Sequence, residues 1–511
     1  MRSVRGRLVG VLLALALCGD AQARPFTVCT TSFHGPDEVR TFDEHLRPPA
    51  FEPVILGASA RQNRSWLTDA CHSGLRCDVF VMSGEFGGRF FGDYGFSLGL
   101  QELEEASCDP ACAGLFRAPQ EVFLLACNTL ATKDQDERTP RDYFRVLVDH
   151  GFEQASAERV VQMRYGPIGP SFRESLRRVF FGVPRLYGFA SVAPRGAVTA
   201  PMLERYFAST GDYAVHLERT GRRVERDPRL RAAFAGTSFV QETGMRDGDP
   251  GAGDRALVCR LYDERVRVAE RLGIASEVMA RADFLTFLPT MEVFLRRHPP
   301  EGFDHEERAI FAAMQERPAA RGEVLRLARE LEVSAVKLEV THFARHMGWI
   351  TADEFRRVAI DGARSLLARP LTSEIVDIEC EIAKHAPIGD AIGSDDLPGL
   401  LFTLAEGIRL VDCVGSSDRR VSGRLAAALD DPDLSTRLWA AYALSRRLPL
   451  DEGVLLRLAR RLDDDSPEMR ERIRWIFAAQ PKLPVSVRAA MRERGGERAD
   501  RRRRHESWYR D

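Results

Sequence analysis

The chain has 511 residues, 44% of them hydrophobic, which is enough for more than one domain with its own core. Its formal net charge is −2, and that balance excludes a global field favouring nucleic acid or an anionic membrane surface. The basic charge is almost all arginine: lysine occurs only at Lys133, Lys337, Lys384 and Lys482.

Read in chain order, the first segment is a targeting signal. Arg2, Arg5 and Arg7 precede a short apolar run from Leu8 to Leu17, and Ala21-Gln22-Ala23 is a small-x-small cleavage site. This pattern predicts a secretory signal peptide over 1–23, since the apolar run is too short to span a bilayer. Cys18 follows Leu17 rather than a small residue, which argues against a lipoprotein site. No later stretch reaches the ~18 apolar residues of a spanning helix. The expectation is an exported protein, periplasmic or extracellular, with no membrane span after cleavage.

Strands and helices then alternate. Phe26–Thr31, Val54–Leu56, Asp78–Ser83, Glu121–Ala126 and Arg185–Ala190 read as strands, and the last three have continuous rather than alternating apolar character. Such strands separated by helices predict a mostly parallel sheet covered on both faces. The intervening helices carry their own punctuation. Val39, Phe42 and Leu46 mark one face after Asp37, Thr139-Pro140 opens a second helix, and Ser171 opens a third. Met202–Ala235 reads as helical. Residues 243–254, rich in Gly, Asp and Pro, read as a loop or boundary. From Arg255 to about Pro481 only helical periodicity is present.

Removing the signal leaves nine cysteines, so at least one thiol is free or pairs with another chain. Cys71, Cys77, Cys108 and Cys112 cluster in loops of the first domain. They predict one or two disulfides; a zinc site with His72 is the weaker reading, because paired C-x-x-C spacing is missing.

Reactive groups in an open parallel sheet gather beyond the carboxyl ends of the strands. The third strand ends in Ser83-Gly84-Glu85-Phe86-Gly87-Gly88 and the fourth in Leu125-Ala126-Cys127-Asn128-Thr129. The segment VFLLACNTLA, together with this strand order, resembles the caspase-like clan of cysteine peptidases, including its CHAT and gingipain-type branches, over about residues 25–210. The resemblance implies a three-layer α/β domain with Cys127 in the nucleophile position. It also places Glu85 where the family has its general-base histidine. That departure matters, because a thiol has a reference pKa of about 8.5 and a neighbouring carboxylate disfavours a second negative charge. In a caspase-like sheet the first, third and fourth strands are neighbours, which places His34 on the same edge. Glu85 would then orient His34, and His34 would activate Cys127. The alternative is that Cys127 packs as a small core hydrophobe. Gly84, Gly87 and Gly88 then form either a tight turn or what is left of an oxyanion loop.

Near the end of the chain, Leu425–Pro432 and Leu458–Asp465 repeat at an offset of 33 residues. Each precedes an apolar-faced helix, and the pair resembles a HEAT repeat. On a helix further upstream, His342 and His346 stand four apart, as two metal ligands would, but no third ligand is evident from the sequence.

These readings predict a signal peptide over 1–23, a caspase-like α/β domain over 24–210 and a helical transition and linker over 211–254. A helical domain over 255–415, HEAT-like repeats over 416–485 and a disordered charged tail over 486–511 follow. No Walker or dinucleotide fingerprint is present, so no cofactor, bound metal or nucleic acid is expected. The expected partner is a protein or a peptide. The expected function is a degenerate cysteine peptidase, a pseudoenzyme working with a HEAT-like binding array. The alternative is an active cysteine peptidase or acyl hydrolase using Cys127 as nucleophile and His34 as base.

Overall fold

The computed structural model describes residues 24–34, 36–57, 65–92, 97–133, 138–149, 154–331, 334–369, 371 and 373–493. The expected signal peptide and residues 494–511 of the expected tail lie outside them; residues 486–493, expected as part of a disordered tail, are helical and bury Val487 against the core. The chain divides into two compact units. One is Met1–Thr139 with Met163–Arg267, and the other is Pro140–Gln162 with Val268–Asp511.

In the first unit the described strands are β1 (Phe26–Ser32), β2 (Phe51–Ile55), β3 (Val79–Ser83), β4 (Glu85–Phe86), β5 (Arg89–Phe91), β6 (Leu98–Gly99), β7 (Glu121–Leu125), β8 (Arg185–Phe189) and β9 (Phe239–Glu242). Six of them form one sheet in the order β2-β1-β3-β7-β8-β9. All neighbours are parallel except β9, which runs antiparallel to β8. Every residue of β3, β7 and β8 is buried, which is why these strands carry continuous apolar runs. The edge strand β2 holds Pro53, a residue that a central ladder would not accept.

Both sheet faces are covered. On one, Phe123 meets Phe42 of the helix Asp37–His45 at 4.9 Å between ring centroids, and Phe42 meets Phe207 of the helix Gly196–Thr210 at 5.3 Å. On the other, Phe80 packs on Phe116 and Phe180 at 6.3 and 5.9 Å. Burying each of these phenylalanines contributes roughly 1.5–3 kcal/mol.

Three features depart from the sequence reading. The sheet takes its sixth strand from Phe239–Glu242, well beyond residue 210. The stretch read as one helix over Met202–Ala235 is three: Gly196–Thr210, Tyr213–Thr220 and Pro228–Ala233, divided at Gly211 and Gly221, whose φ angles are positive. The Gly- and Asp-rich segment after Thr243 is not a free linker. Met245 is buried, its carbonyl accepts from Gly182 N–H at 2.7 Å, and the helix Ala252–Tyr262 begins within the segment.

The second unit is helical throughout its described residues and includes the helix Pro140–Asp149. An ion pair of 2.7 Å between Glu158 and Arg369 ties its two chain segments together. The helices Leu434–Ser445 and Pro467–Ala478 begin and end 33 residues apart, and their turns are built alike. Asp433 and Ser466 cap them. Arg437 donates to the carbonyls of Asp431 and Pro432, and Arg470 donates to those of Asp464 and Asp465. Arg437 also pairs with the buried Asp464 at 3.2 Å, which joins one helical pair to the next.

Four disulfides are present among the described residues: Cys29–Cys77, Cys71–Cys112, Cys108–Cys259 and Cys380–Cys413. They consume all four clustered cysteines of the first unit, which removes the zinc reading for that cluster; His72 instead faces Asp109 at 3.9 Å. The cysteine left over is Cys127. No helix among the described residues is long and apolar enough to cross a membrane.

A candidate site at the carboxyl edge of the sheet

The register of the sheet decides which sequence-predicted residues can meet. Ser32 of β1 pairs with Ser83 of β3, and Ser83 pairs with Leu125 of β7. The three strands therefore end level. His34, Glu85 and Cys127 each stand two residues past that row. The chain remains laddered one step beyond it, with Phe33 N–H donating to Ser83 O at 2.9 Å and Gly84 N–H to Leu125 O at 3.3 Å.

Glu85 is set by the turn out of β3. A side chain at Gly84 would bring its Cβ to 2.9 Å from Phe33 Cβ, so only glycine lets the strand turn there. Glu85 then pairs with Phe91 in the β4–β5 hairpin, whose tight turn is Gly87-Gly88, with Gly88 at φ +87°. The glycines are therefore turn residues.

Cys127 is 4% exposed. Its sulfur accepts from Ala193 N–H at 3.3 Å, and the Glu85 carboxyl group lies close enough to raise its pKa. Among the described residues no imidazole is a hydrogen-bond partner of this thiol. Burial, and after it the charge of Glu85, pushes the thiol far above its ordinary range, and the Ala193 N–H offsets only part of that. The next residues lock the turn. Asn128 sits at φ +62° and its amide oxygen accepts from Arg164 at 2.9 Å. Thr129 Oγ1 accepts from Phe189 N–H at 3.1 Å, tying the end of β7 to β8.

His34 is half-buried at the end of β1, and Ser32 Oγ donates to its carbonyl at 2.7 Å. A protonated His34 acts on Glu38, a residue the sequence reading did not single out. Glu38 is 2% exposed and accepts from Ser83 Oγ at 3.1 Å. Burial raises its pKa, and His34 opposes that rise. Its carboxylate lies against the first turn of the helix Gly196–Thr210, where a Cβ on Gly196 would fall 2.8 Å from Glu38 Oε2. The available signal was an acid four residues before Phe42, on the apolar stripe of its own helix.

The edge thus gathers one thiol, two carboxyl groups and one imidazole. Burial and the neighbouring Glu85 carboxyl group hold the thiol neutral rather than as a nucleophile.

Two other polar clusters stand apart from this edge. At the start of β7, the fully buried Glu121 accepts from Arg185 at 2.7 Å and bonds His216 at 3.1 Å and Tyr213. Burial alone would raise its pKa, but His216 and Arg185 bring it below the ordinary value. This cluster closes the amino edge, away from Cys127. In the second unit, His342 and His346 do have an acidic neighbour. Glu292, from the helix Leu288–Arg297, meets His342 Nδ1 at 2.8 Å. Burial, then the neighbouring His342, lowers the His346 pKa to about 4.

No protein-family model matches this chain, and no curated protein and no solved structure matches it either.

Proposed function

We propose that this is an exported binding protein, built on a degenerate cysteine-peptidase scaffold of caspase-like type and completed by a HEAT-like helical array that engages a protein partner. The reading rests above all on Cys127. Its thiol is buried, and Glu85 beside it stands in the position where the resembling peptidases carry a base, so burial and a neighbouring carboxyl group both oppose a thiolate. The adjacency of β1, β3 and β7 is the neighbour relation expected of a caspase-like sheet. The 33-residue repeat of capped helices supports the array, since stacked helical pairs create extended binding surfaces. Four disulfides fit export, because such bonds persist in oxidising compartments.

A second reading, an active cysteine peptidase or acyl hydrolase, has one observation in its favour. His34, Glu85 and Cys127 stand in one row at the ends of β1, β3 and β7, so the imidazole and the thiol share one edge of the sheet.

Iodoacetamide labelling of the native protein, with peptide mapping of Cys127 over pH 5 to 9, separates the two. The pseudoenzyme reading expects labelling only on unfolding, unchanged in His34→Ala. Rapid labelling at neutral pH that His34→Ala abolishes would overturn it in favour of the enzyme.

A further inference from the structure

We propose that Glu292, His342 and His346 form a zinc site that pins two helices of the second unit together. His342 and His346 lie one helical turn apart on Ser334–His346 and so project from the same face. Glu292 comes from another helix, Leu288–Arg297, fifty residues earlier in the chain. One ligand atom from each of the three side chains lies within 4.8 Å of the others. Ligand atoms around a tetrahedral ion with bonds of about 2.0–2.1 Å stand about 3.4 Å apart, so small rotamer changes bring all three into range.

The ligand chemistry selects the ion. Two imidazoles and one carboxylate suit zinc rather than calcium or magnesium, which take oxygen donors. Three protein ligands leave one position for water.

Two further observations point to an ion rather than to a hydrogen-bonded cluster alone. The Nε2 atom of His346 is buried without a hydrogen-bond partner, although its ring packs against His342 at 4.3 Å between centroids. A neutral imidazole has one donor and one acceptor nitrogen, and a buried atom left unsatisfied costs stability unless something fills the place. The carboxylate is also held in position from behind: Arg296 lies 3.8 Å from Glu292 Oε2, while Oε1 is the oxygen turned to His342. Outer partners of this kind orient metal ligands. Phe355, whose ring lies 5.4 Å from that of His342, walls the cluster on one side.

The test uses the full chain, stripped with EDTA and titrated with zinc sulfate by calorimetry, with native mass spectrometry for stoichiometry. One zinc per chain is expected. Thermal unfolding of the second unit should rise by roughly 5 °C at a zinc concentration ~100 times Kd. His346→Ala should weaken binding more than about a hundredfold, since even outer-shell losses cost ten- to a hundredfold. The same variant keeps the His342–Glu292 hydrogen bond, so its melting temperature in EDTA should match the parent's. His346→Gln serves as the second variant if the alanine form does not fold. Cobalt substitution should give visible d–d absorption in the parent and none in either variant. Absence of zinc binding, or binding that both variants retain in full, would overturn the proposal.

Discussion

Replacing Glu85 tests the central electrostatic argument directly. A unit charge about 4 Å from a second one interacts by about 4 kcal/mol at an effective dielectric of 20, equivalent to about 3 pKa units. Glu85→Gln removes that charge and keeps a polar group of similar size beside Cys127. The thiol pKa should then fall, though not to a reactive value, because burial is the larger cause of its rise and persists. Where labelling follows the thiolate fraction, the native-state rate at pH 9 should increase by about two to three orders of magnitude. Glu85→His should go further, since an imidazole both removes the carboxylate and supplies a proton acceptor. The assay is iodoacetamide labelling at pH 7, 8 and 9, with mass mapping of Cys127 and a thermal melt to show that the variants remain folded. Folded Glu85→Gln protein that labels no faster than the parent would refute the reasoning, and would mean that burial alone silences the thiol.

Two further predictions concern stability. Glu379 is fully buried, neither of its carboxyl oxygens has a hydrogen-bond partner among the described residues, and burial raises its pKa to about 8. A carboxyl raised in the folded state contributes stability that is complete below its unfolded pKa near 4.5 and is lost as pH rises toward 8. The parent's melting temperature should therefore fall between pH 5 and pH 8, by the equivalent of up to about 4 kcal/mol, and Glu379→Gln should flatten that fall; parallel curves for the two proteins would refute the assignment. In denaturant without reductant, a chain beginning at residue 24 should titrate one thiol with Ellman's reagent, that of Cys127. Cys259→Ser should expose a second thiol, at Cys108, and lower stability by about 4–5 kcal/mol, because the bond closes a loop with a sequence separation of 151.

Elements whose physics is local were legible in the amino-acid sequence. Continuous apolar runs marked β3, β7 and β8, because a strand buried on both faces has no need of alternation. Ser171 announced its helix by capping it, accepting from Glu174 N–H at 3.1 Å. The 33-residue offset announced the repeated helical pairs, because identical turns require similar residues at the same interval. The level row of His34, Glu85 and Cys127 was also foreseeable from strand order.

What stood in the way elsewhere was always a long-range partner. β9 is a short, half-buried strand with no periodic signature, and only its pairing with β8 makes it a strand. The pairing of Cys108 with Cys259 depends on two helices meeting, which no spacing rule encodes. Glu292 lies fifty residues from His342, so the third member of that cluster was invisible until the helices were packed. At the candidate site, tertiary structure decided the chemistry. It buried the thiol of Cys127 beside Glu85 and placed the buried carboxyl group of Glu38 near His34. The side chains available at an edge can be read from strand ends, but their pairing is set by turns, burial and the helix that closes over them.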